Sequence, residues 1–560
     1  MTKSSRTGGR ILVDQLLVHG VSHVFCVPGE SYLAALDAMH DAQIAVTVCR
    51  AEGGAGMMAE AHGKLTGRPG ICFVTRGPGA TNAAPALHIA RQDSTPMILF
   101  VGQVAREMKE REAFQELDYK AVFGSIAKWV VDIDDPARLP ELVSRAFHVA
   151  TAGRPGPVVV ALPEDMLTQA AEVADAEPYA IVETHPGLAQ MADLQKMLWA
   201  AKRPIAILGG SRWSEAAVAR FTRFAERFGL PVACSFRRQM LFSHEHPCYA
   251  GDLGLGCNPK LLARIREADL VLAIGGRLSE IPSQSYDLFG IPSPGTALVH
   301  VHADAAELGR VYRPKLAINA SASAFTAALE AVQPPNAIPW EGAAEAAHAD
   351  YLTWSDPTAI RHPGDLQMGQ VMAHLAQALP EDAILCNGAG NYATWIHRFW
   401  KFRRFGTQLA PTSGSMGYGV PAAIGAKRVF PEREVVAFAG DGCFLMNGQD
   451  FATAVQYDLP LIVIVVDNGM YGTIRMHQER EYPGRVVATA LENPDFAAYA
   501  AAFGGHGERV TRTEEFAPAL ERARASGKPA ILHLIIDPET ITPTATLTGM
   551  REAALAKKGG

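Results

Sequence analysis

The sequence lacks a long hydrophobic run, a patterned set of cysteines and an excess of positive charge, and each absence excludes a class of protein. No stretch of about 18 uncharged apolar residues occurs, so no membrane-spanning helix is predicted. The eight cysteines include no C-x-x-C pair, which argues against a zinc site or a disulfide framework and favours a reducing cytoplasm. The formal charge of -7 argues against a nucleic-acid surface, which needs a basic face.

The chain is long enough for several ordinary domains. Its 560 residues predict three or four units at roughly 150 residues per domain. The N-terminus becomes polar and charged too early for a signal peptide. The last residues, AALAKKGG, have the composition of a frayed tail.

Short apolar runs rich in Val, Ile and Leu alternate with helical patterns along the whole chain. Such runs are typical of parallel strands that helices cover on both faces, so we predict an α/β fold with three Rossmann-like, doubly wound parallel-sheet domains. An acidic, weakly periodic segment and a proline-rich segment without a strand pattern, 168–187 and 333–364, mark the boundaries. The predicted units are 1–175, 188–335 and 362–545, followed by a tail at 546–560.

The stretch GDGCFLMNGQD, from residue 440, places a carboxylate directly after a buried strand. Gly-Asp-Gly alone also fits an ordinary tight turn. The next strand, LPLIVIVV, ends in Asp467-Asn468-Gly469-Met470, and one helix and a crossover fill the interval from Asp441. Both strand ends should therefore meet at one sheet edge, where parallel sheets bind ligands. A carboxylate, an amide oxygen and a backbone carbonyl suit Mg²⁺ better than zinc.

Gly440-Asp441-Gly442, followed at this spacing by Asn468, resembles the motif of thiamine-diphosphate-dependent enzymes. The resemblance implies that Asp441, Asn468 and the backbone oxygen of Met470 hold the Mg²⁺ that grips the diphosphate of the cofactor. Gly440 and Gly442 are then expected to allow close approach of a phosphate. The chain departs from the usual Asn-Asn pair by having Asp467 before Asn468.

Two further stretches resemble the acetolactate synthase, pyruvate oxidase and 2-oxo-acid decarboxylase family. Residues 50–82 resemble its pyrimidine-binding domain, and Glu52 falls on the glutamate that activates the cofactor's aminopyrimidine. Such a carboxyl group needs an apolar pocket. Residues 411–427 resemble a loop of the same family. In that resemblance Met416 falls on the apolar wedge beneath the cofactor, and Gly414 falls on a backbone carbonyl that accepts a hydrogen bond from the aminopyrimidine. An acid at a helix N-terminus and a core methionine are the ordinary alternatives.

The resemblance covers nearly the whole chain, in the order pyrimidine-binding, central and diphosphate-binding domain. It implies a homodimer at least, with a dimer of dimers common in the family, and a site formed between neighbouring subunits. Relatives use the central domain for FAD, for ADP or for no ligand, and Gly275 and Arg277 lie near the position of FAD, which is a possible second cofactor. His302 is expected to be a strand residue and Cys443 a small buried residue.

The segments AFQELD and DSTPMILFVGQV resemble acetolactate synthases in particular. On that resemblance Gln115 lies near the reacting carbon and Phe114 lines the pocket. The chain departs from these synthases in having His477 where a tryptophan shapes the acceptor pocket. Ile281 occupies the region of an acceptor-binding arginine, and Glu30 replaces a glycine at a position where related decarboxylases carry a proton-handling aspartate. An ordinary turn or helix-terminal acid also explains Glu30.

Several activities fit these residues. The first is an acetolactate-synthase-like carboligase, which decarboxylates a 2-oxo acid such as pyruvate and adds the carbanion to a second carbonyl. The second is a 2-oxo-acid decarboxylase that uses Glu30. The third is a 2-hydroxyacyl-CoA lyase or acyl-CoA decarboxylase, in which the C-terminal tail covers the CoA. A non-catalytic structural or regulatory homologue is the alternative outside enzymes, but Glu52, Asp441 and Asn468 are all present.

Overall fold

The computed structural model describes residues 5–558 and contains three six-stranded sheets in which every strand pairing is parallel. Each sheet is flanked by helices, which confirms the predicted α/β class. The buried faces consist mainly of Val, Ile, Leu, Ala and Phe, because strands covered on both sides expose no face to water.

The N-terminal sheet has the order β3-β2-β4-β5-β7-β6, and a separate antiparallel pair joins β1 to β8. Its strands are Ser5–Thr7 (β1), His23–Cys26 (β2), Ala45–Val48 (β3), Gly70–Val74 (β4), Met97–Gln103 (β5), Trp129–Asp132 (β6), Pro157–Pro163 (β7) and Ala170–Glu172 (β8). Its helices are Gly8–Val18 (α1), Leu33–His40 (α2), Glu52–Thr66 (α3), Pro78–Asn82 (α4), Ala84–Asp93 (α5), Tyr119–Phe123 (α6), Leu139–Thr151 (α7) and Glu164–Thr168 (α8).

The middle sheet has the order β11-β10-β9-β12-β13-β14. Its strands are Pro204–Leu208 (β9), Val232–Ser235 (β10), Tyr249–Leu253 (β11), Leu270–Ile274 (β12), Ala297–His302 (β13) and Leu316–Asn319 (β14). The helices are Leu188–Ala200 (α9), Glu215–Phe228 (α10), Pro259–Arg266 (α11), Ala322–Ala328 (α12) and Ala343–Trp354 (α13). The proline-rich segment 333–364 therefore contains one helix, α13, and no strand, as predicted. His302 is the last residue of β13, which confirms that it is a strand residue.

The third sheet has the order β16-β15-β17-β18-β20-β19. Its strands are Ile384–Asn387 (β15), Gln408–Leu409 (β16), Val435–Gly440 (β17), Ile462–Asp467 (β18), His506–Val510 (β19) and Ala530–Ile535 (β20), and a small hairpin follows with Thr540–Thr542 (β21) and Ala545–Thr546 (β22). The helices are Met368–Ala378 (α14), Ala393–Phe399 (α15), Gly419–Val429 (α16), Asp441–Asn447 (α17), Phe451–Gln456 (α18), Gly472–Glu481 (α19), Phe496–Ala502 (α20), Thr513–Ala525 (α21) and Leu547–Lys558 (α22).

Contacts within the chain group these elements into two compact units rather than three. The first unit joins the residues up to 182 with 411–432 and 445–459, and the second holds 183–410, 433–444 and the residues from 460 onwards. Helices α16 and α18 therefore belong to the first unit, although the sequence places them among the strands of the third sheet. The domain boundaries drawn from composition stay predictions.

The end of the chain differs from the frayed tail that its composition suggested. Residues 547–558 form α22, and Arg551 of this helix donates to Glu479 of α19, with an Nη2–Oε1 distance of 2.6 Å. The prediction was wrong because it considered the polar composition without the buried ion pair; residues 559 and 560 lie outside the described residues. Within residues 5–558, no helix has both the length and the apolar character needed to cross a membrane.

Close packing of α3 on β4 depends on a glycine. A Cβ at Gly70 would lie 1.7 Å from the backbone oxygen of Ala59 in α3. We expect Gly70→Ala to destabilise the first unit by about 1–3 kcal/mol or more, because backbone must move to make room. Thermal unfolding measures the effect as a lower Tm. Gly67→Asn is the control, since Gly67 has open space around it and asparagine tolerates its positive φ; equal Tm values for the two variants would contradict the expectation.

Candidate active site

The ends of β17 and β18 meet at one edge of the third sheet, as the sequence predicts. Gly440 pairs with Val466 in parallel register, and Asp441 begins α17 directly after β17. The backbone N–H of Met470, which follows β18, donates to Oδ2 of Asp441 at 3.1 Å, and the Gly442 N–H donates to Oδ1 at 2.9 Å. Burial, together with the nearby carboxylate of Asp467, raises the pKa of Asp441 to about 6.

Three oxygen donors at this edge fit a hard divalent cation. Asp441 supplies a carboxylate that is 3% exposed. Among the described residues, the Asn468 side chain has no hydrogen-bond partner, and the Met470 carbonyl accepts no backbone hydrogen bond. These free oxygens, with the buried carboxylate, form the donor set that Mg²⁺ prefers.

The two glycines of the motif have a packing reason that the sequence did not reveal. A Cβ at Gly440 would lie 2.9 Å from the ring of Tyr392, and a Cβ at Gly442 would lie 2.5 Å from the ring of Tyr471. Two aromatic rings therefore require glycine at these positions. The approach of a phosphate, which the sequence analysis proposed as the reason, stays a prediction.

Asp467, the departure from the usual asparagine, is held by several donors. Its Oδ2 lies 2.8 Å from Nε2 of His533, and its Oδ1 accepts from the Gly469 N–H at 2.9 Å and from the Asn493 amide at 2.9 Å. Although burial acts in the opposite direction, these hydrogen bonds lower the pKa of Asp467. A charged carboxylate is thus accommodated beside Asp441.

In the first unit, three of the predicted residues lie beside the segment that follows β4, residues 75–82. Nδ2 of Asn82 donates to Oε2 of Glu52 at 3.1 Å, and a Cβ at Gly79 would lie 3.3 Å from Oε1 of the same glutamate. Glu52 is half-buried at the first position of α3, at the positive end of the helix dipole. The structure therefore places this carboxyl group at the carboxyl edge of the N-terminal sheet.

Glu30 and Gln115 lie against the same segment with different surroundings. Glu30 exposes 67% of its side chain and pairs with Arg76 at 3.3 Å. Gln115 has a φ of 64°, and its backbone lies against Gly77, where a Cβ would be 2.8 Å from the Gln115 oxygen. Phe114 is 72% exposed. Glu30 is thus an exposed, ion-paired acid, without the apolar surroundings typical of a proton-transferring carboxyl group.

The loop with Gly414 and Met416 is fixed to the N-terminal sheet's helices at both ends. Asp93 of α5 accepts from the backbone N–H of Thr412 at 2.7 Å, and Glu60 of α3 accepts from the Tyr418 hydroxyl at 2.5 Å. Gly414 itself is exposed with a φ of 68°, and Met416 is half-buried. The loop is therefore anchored while its middle stays accessible.

A buried lysine forms ion pairs with the two acids that anchor this loop. Lys64 contacts both Glu60, at 3.2 Å, and Asp93, and the two carboxylates are 0% exposed. Thr95 donates at 2.6 Å to Oε1 of Glu60, the oxygen that Lys64 also contacts. Buried charges are tolerated only when paired in this way. Sequence analysis missed the cluster, whose only sequence signal is the i, i+4 spacing of Glu60 and Lys64.

Residues from the segment 445–459 hold the chain that leads into Glu52. Buried Asp450 accepts from the backbone N–H of Arg50 at 3.0 Å, and the Tyr457 hydroxyl accepts from the Val48 N–H at 2.8 Å. Burial raises the pKa of Asp450 to about 6. The position of Glu52 therefore depends on side chains some 400 residues later in the sequence.

The remaining candidates lie outside these two groups. His477 is exposed on α19, with Nδ1 2.6 Å from Nη2 of Arg480, and makes no hydrogen bond to Asp441 within the described part of the chain. Gly275 follows β12 with a φ of 75°, and a Cβ at Gly210 would lie 1.7 Å from its oxygen. Packing between two loops thus explains these glycines. Cys443 is buried, as predicted.

The fold, with polar residues at the carboxyl ends of its parallel strands, is typical of α/β enzymes, which bind their ligands at that edge of the sheet. Comparisons with known families agree in all three regions. Residues 6–122 match the N-terminal TPP binding domain of thiamine pyrophosphate enzymes, residues 191–329 match the central domain, and residues 388–534 match the C-terminal TPP binding domain.

Curated relatives extend the match to nearly the full chain. The acetolactate synthase isozyme 2 large subunit of Escherichia coli (strain K12) is 31% identical over 95% of both chains. The acetolactate synthase large subunit of Corynebacterium glutamicum is 32% identical over 95% of this chain and 87% of its own length. The probable acetolactate synthase large subunit of Methanocaldococcus jannaschii is 30% identical over 96% of this chain and 93% of its own. The chain belongs to the thiamine pyrophosphate-dependent enzymes, which form or cleave carbon–carbon bonds.

The buried charge cluster of α3 gives a test of how the loop with Gly414 and Met416 is anchored. We expect Lys64→Met to destabilise the protein by about 3–5 kcal/mol, because it leaves Glu60 and Asp93 buried without a cation. Thermal unfolding should show a Tm at least several degrees lower. Lys196→Met is the control, since Lys196 is 75% exposed in its pair with Asp193. A Tm equal to that of the control would contradict the assigned role.

Proposed function

We propose that this enzyme is an Mg²⁺-dependent carboligase that decarboxylates a 2-oxo acid, such as pyruvate, and adds the resulting carbanion to a second carbonyl compound. The observation that carries the proposal is the hydrogen bond from the Met470 N–H to Asp441, which connects the turns that follow two adjacent strands, with Asn468 in the second of these turns. The names of the full-length relatives support the choice of an acetolactate-synthase-like reaction. The finer choice of donor and acceptor follows from the experiments below.

The residues of this chain have distinct roles in the proposal. Asp441, Asn468 and the carbonyl of Met470 hold Mg²⁺, and through it the diphosphate of the cofactor. Thiamine diphosphate supplies, when bound, a thiazolium carbon that stabilises the carbanion. Glu52 holds a proton against the aminopyrimidine, and Met416 and the Gly414 carbonyl orient that ring. The anchored ends of the loop keep Met416 in place, which lowers the cost of ordering it on binding.

We further propose that a homodimer is the smallest active form and that a dimer of dimers is the assembly to look for. Family resemblance supports this proposal, and light scattering of the purified protein measures its oligomeric state.

The ligand of the middle domain is a separate question, since relatives use this domain for FAD, for ADP or for no ligand. A flavin absorbance spectrum that survives gel filtration identifies FAD, and a colourless protein excludes it.

Incubation with pyruvate, thiamine diphosphate and Mg²⁺ distinguishes the candidate activities. Acetolactate supports the carboligase, free acetaldehyde supports a decarboxylase that uses Glu30, and neither product directs the search to acyl-CoA substrates. The ion pair of Glu30 with Arg76 and its exposure favour the carboligase. A second carbonyl compound added with pyruvate then defines the acceptor.

The Glu52→Gln substitution tests whether Glu52 activates thiamine diphosphate without being needed to bind it. We expect this variant to bind thiamine diphosphate within a few-fold of the wild type but to lose about 10²–10⁴-fold in kcat, because the amide cannot exchange a proton with the aminopyrimidine. Calorimetric titration measures binding and the acetolactate assay measures turnover. Glu141→Gln, at an exposed acid on α7, is the control; turnover near the control value would contradict the role of Glu52.

Asp441→Ala tests the cation site directly. Removing the only carboxylate among the three donors should weaken Mg²⁺-dependent cofactor binding more than about 100-fold, beyond the 10- to 100-fold typical of residues behind a metal ligand. Equilibrium dialysis with chelated and Mg²⁺-supplied protein provides the measurement. Glu432→Ala, at an exposed acid before β17, should bind as the wild type does. Retention of full affinity by Asp441→Ala would exclude this cation site.

A further inference from the structure

The side-chain amide of Asn493 lies between the two carboxylates at the cation edge. Its Nδ2 is 2.8 Å from Oδ2 of Asp441 and 2.9 Å from Oδ1 of Asp467. An ionised carboxylate only accepts hydrogen bonds, so the NH₂ end of the amide must face both acids, with one hydrogen for each. The amide therefore joins Asp441 to Asp467.

The other end of the same amide is incomplete. Oδ1 of Asn493 is buried and has no hydrogen-bond partner among the described residues. Buried polar atoms are nearly always paired, so an unpaired acceptor next to a ligand site indicates a donor that arrives with the ligand. Mg²⁺ usually keeps several of its water molecules when it binds, and these are strong donors.

The opposite side of Asp467 is fixed by His533 of β20. The backbone N–H of Phe496 points at Nδ1 of this histidine at 3.3 Å, so the ring proton belongs on Nε2, which donates to Asp467 at 2.8 Å. The acids and amides thus form one chain of hydrogen bonds from His533 through Asp467 and Asn493 to Asp441. Such partners orient a metal ligand and tune its affinity.

We propose that Asn493 is a positioning residue of the cation site: its amide holds the ligand carboxylate of Asp441, and its Oδ1 accepts a hydrogen bond from a water molecule retained by the bound Mg²⁺. The inference rests on the proposed function, because it assumes that Asp441 binds the cation. It assigns a role to a residue that neither the motif nor the spacing of the strands indicated.

The test is the affinity for Mg²⁺ at saturating thiamine diphosphate, measured by calorimetric titration of dialysed, metal-free protein. Asn493→Leu keeps the size of the side chain without its polar atoms, and Asn493→Ala removes both. We expect each to bind Mg²⁺ about 10- to 100-fold more weakly than the wild type. Glu492→Gln, the exposed neighbour, should be unchanged.

The Tm of the metal-free variants distinguishes positioning from a merely structural role. A structural role lowers this Tm and leaves the Mg²⁺ affinity of the folded protein as it was, which overturns the inference. If the wild-type protein binds no Mg²⁺ in the presence of the cofactor, the proposed function itself is overturned.

His533→Gln gives an independent test if the Asn493 variants do not fold. We expect this variant to bind Mg²⁺ several-fold more weakly than the wild type, and wild-type affinity would overturn the inference.

Discussion

A single hydrogen bond, from the backbone N–H of Met470 to the carboxylate of Asp441, joins the ends of two adjacent parallel strands. The register of β17 on β18 makes this contact, because it places Gly440 opposite Val466 and so brings both following turns to the same edge. A shift of one residue would turn the following side chains to the other face of the sheet. The proposed binding of a cation and a diphosphate therefore depends first on the register of the two strands, which places the side chains at one edge.

The other half of the proposed chemistry depends on a helix and on buried charge. Helix α3 begins with Glu52 and carries Glu60 about two turns later and Lys64 about three turns later. Glu60 accepts a hydrogen bond from Tyr418 at the end of the loop with Met416, and Lys64 pairs with Glu60. One helix thus positions both Glu52, a catalytic candidate, and the anchor of the loop that we propose orients the cofactor. Buried ion pairs add little to stability when compared with apolar packing, but they fix geometry when every partner is satisfied.

The fold and the motif residues were predictable because their signals are local. Continuous apolar runs identify parallel strands, and the interval between Asp441 and Asn468 fits one helix and one crossover. The meeting of the ends of β17 and β18 at one edge of the sheet could therefore be expected. The partners of these residues were not predictable, since Asp450 reaches Arg50 across 400 positions and no periodicity links Asn493 with Asp441. The packing of two tyrosine rings against the glycines of the motif was not predictable either, because it is a tertiary effect, and the approach of a phosphate to these glycines stays a prediction.

The aspartate at position 467 shows how a departure from a family pattern can be accommodated. An asparagine there would bring no charge, whereas Asp467 places a second carboxylate within reach of the amide that also holds Asp441. Two adjacent anions raise each other's cost of ionisation, which contributes to the raised pKa of Asp441. Hydrogen bonds from His533, the Gly469 N–H and Asn493 offset that cost on the side of Asp467 and lower its pKa. The divalent cation proposed for this edge would complete the compensation, because it would bring positive charge next to both carboxylates. The aspartate is therefore compatible with the proposed cation site, in which Asn468 keeps the ligand position.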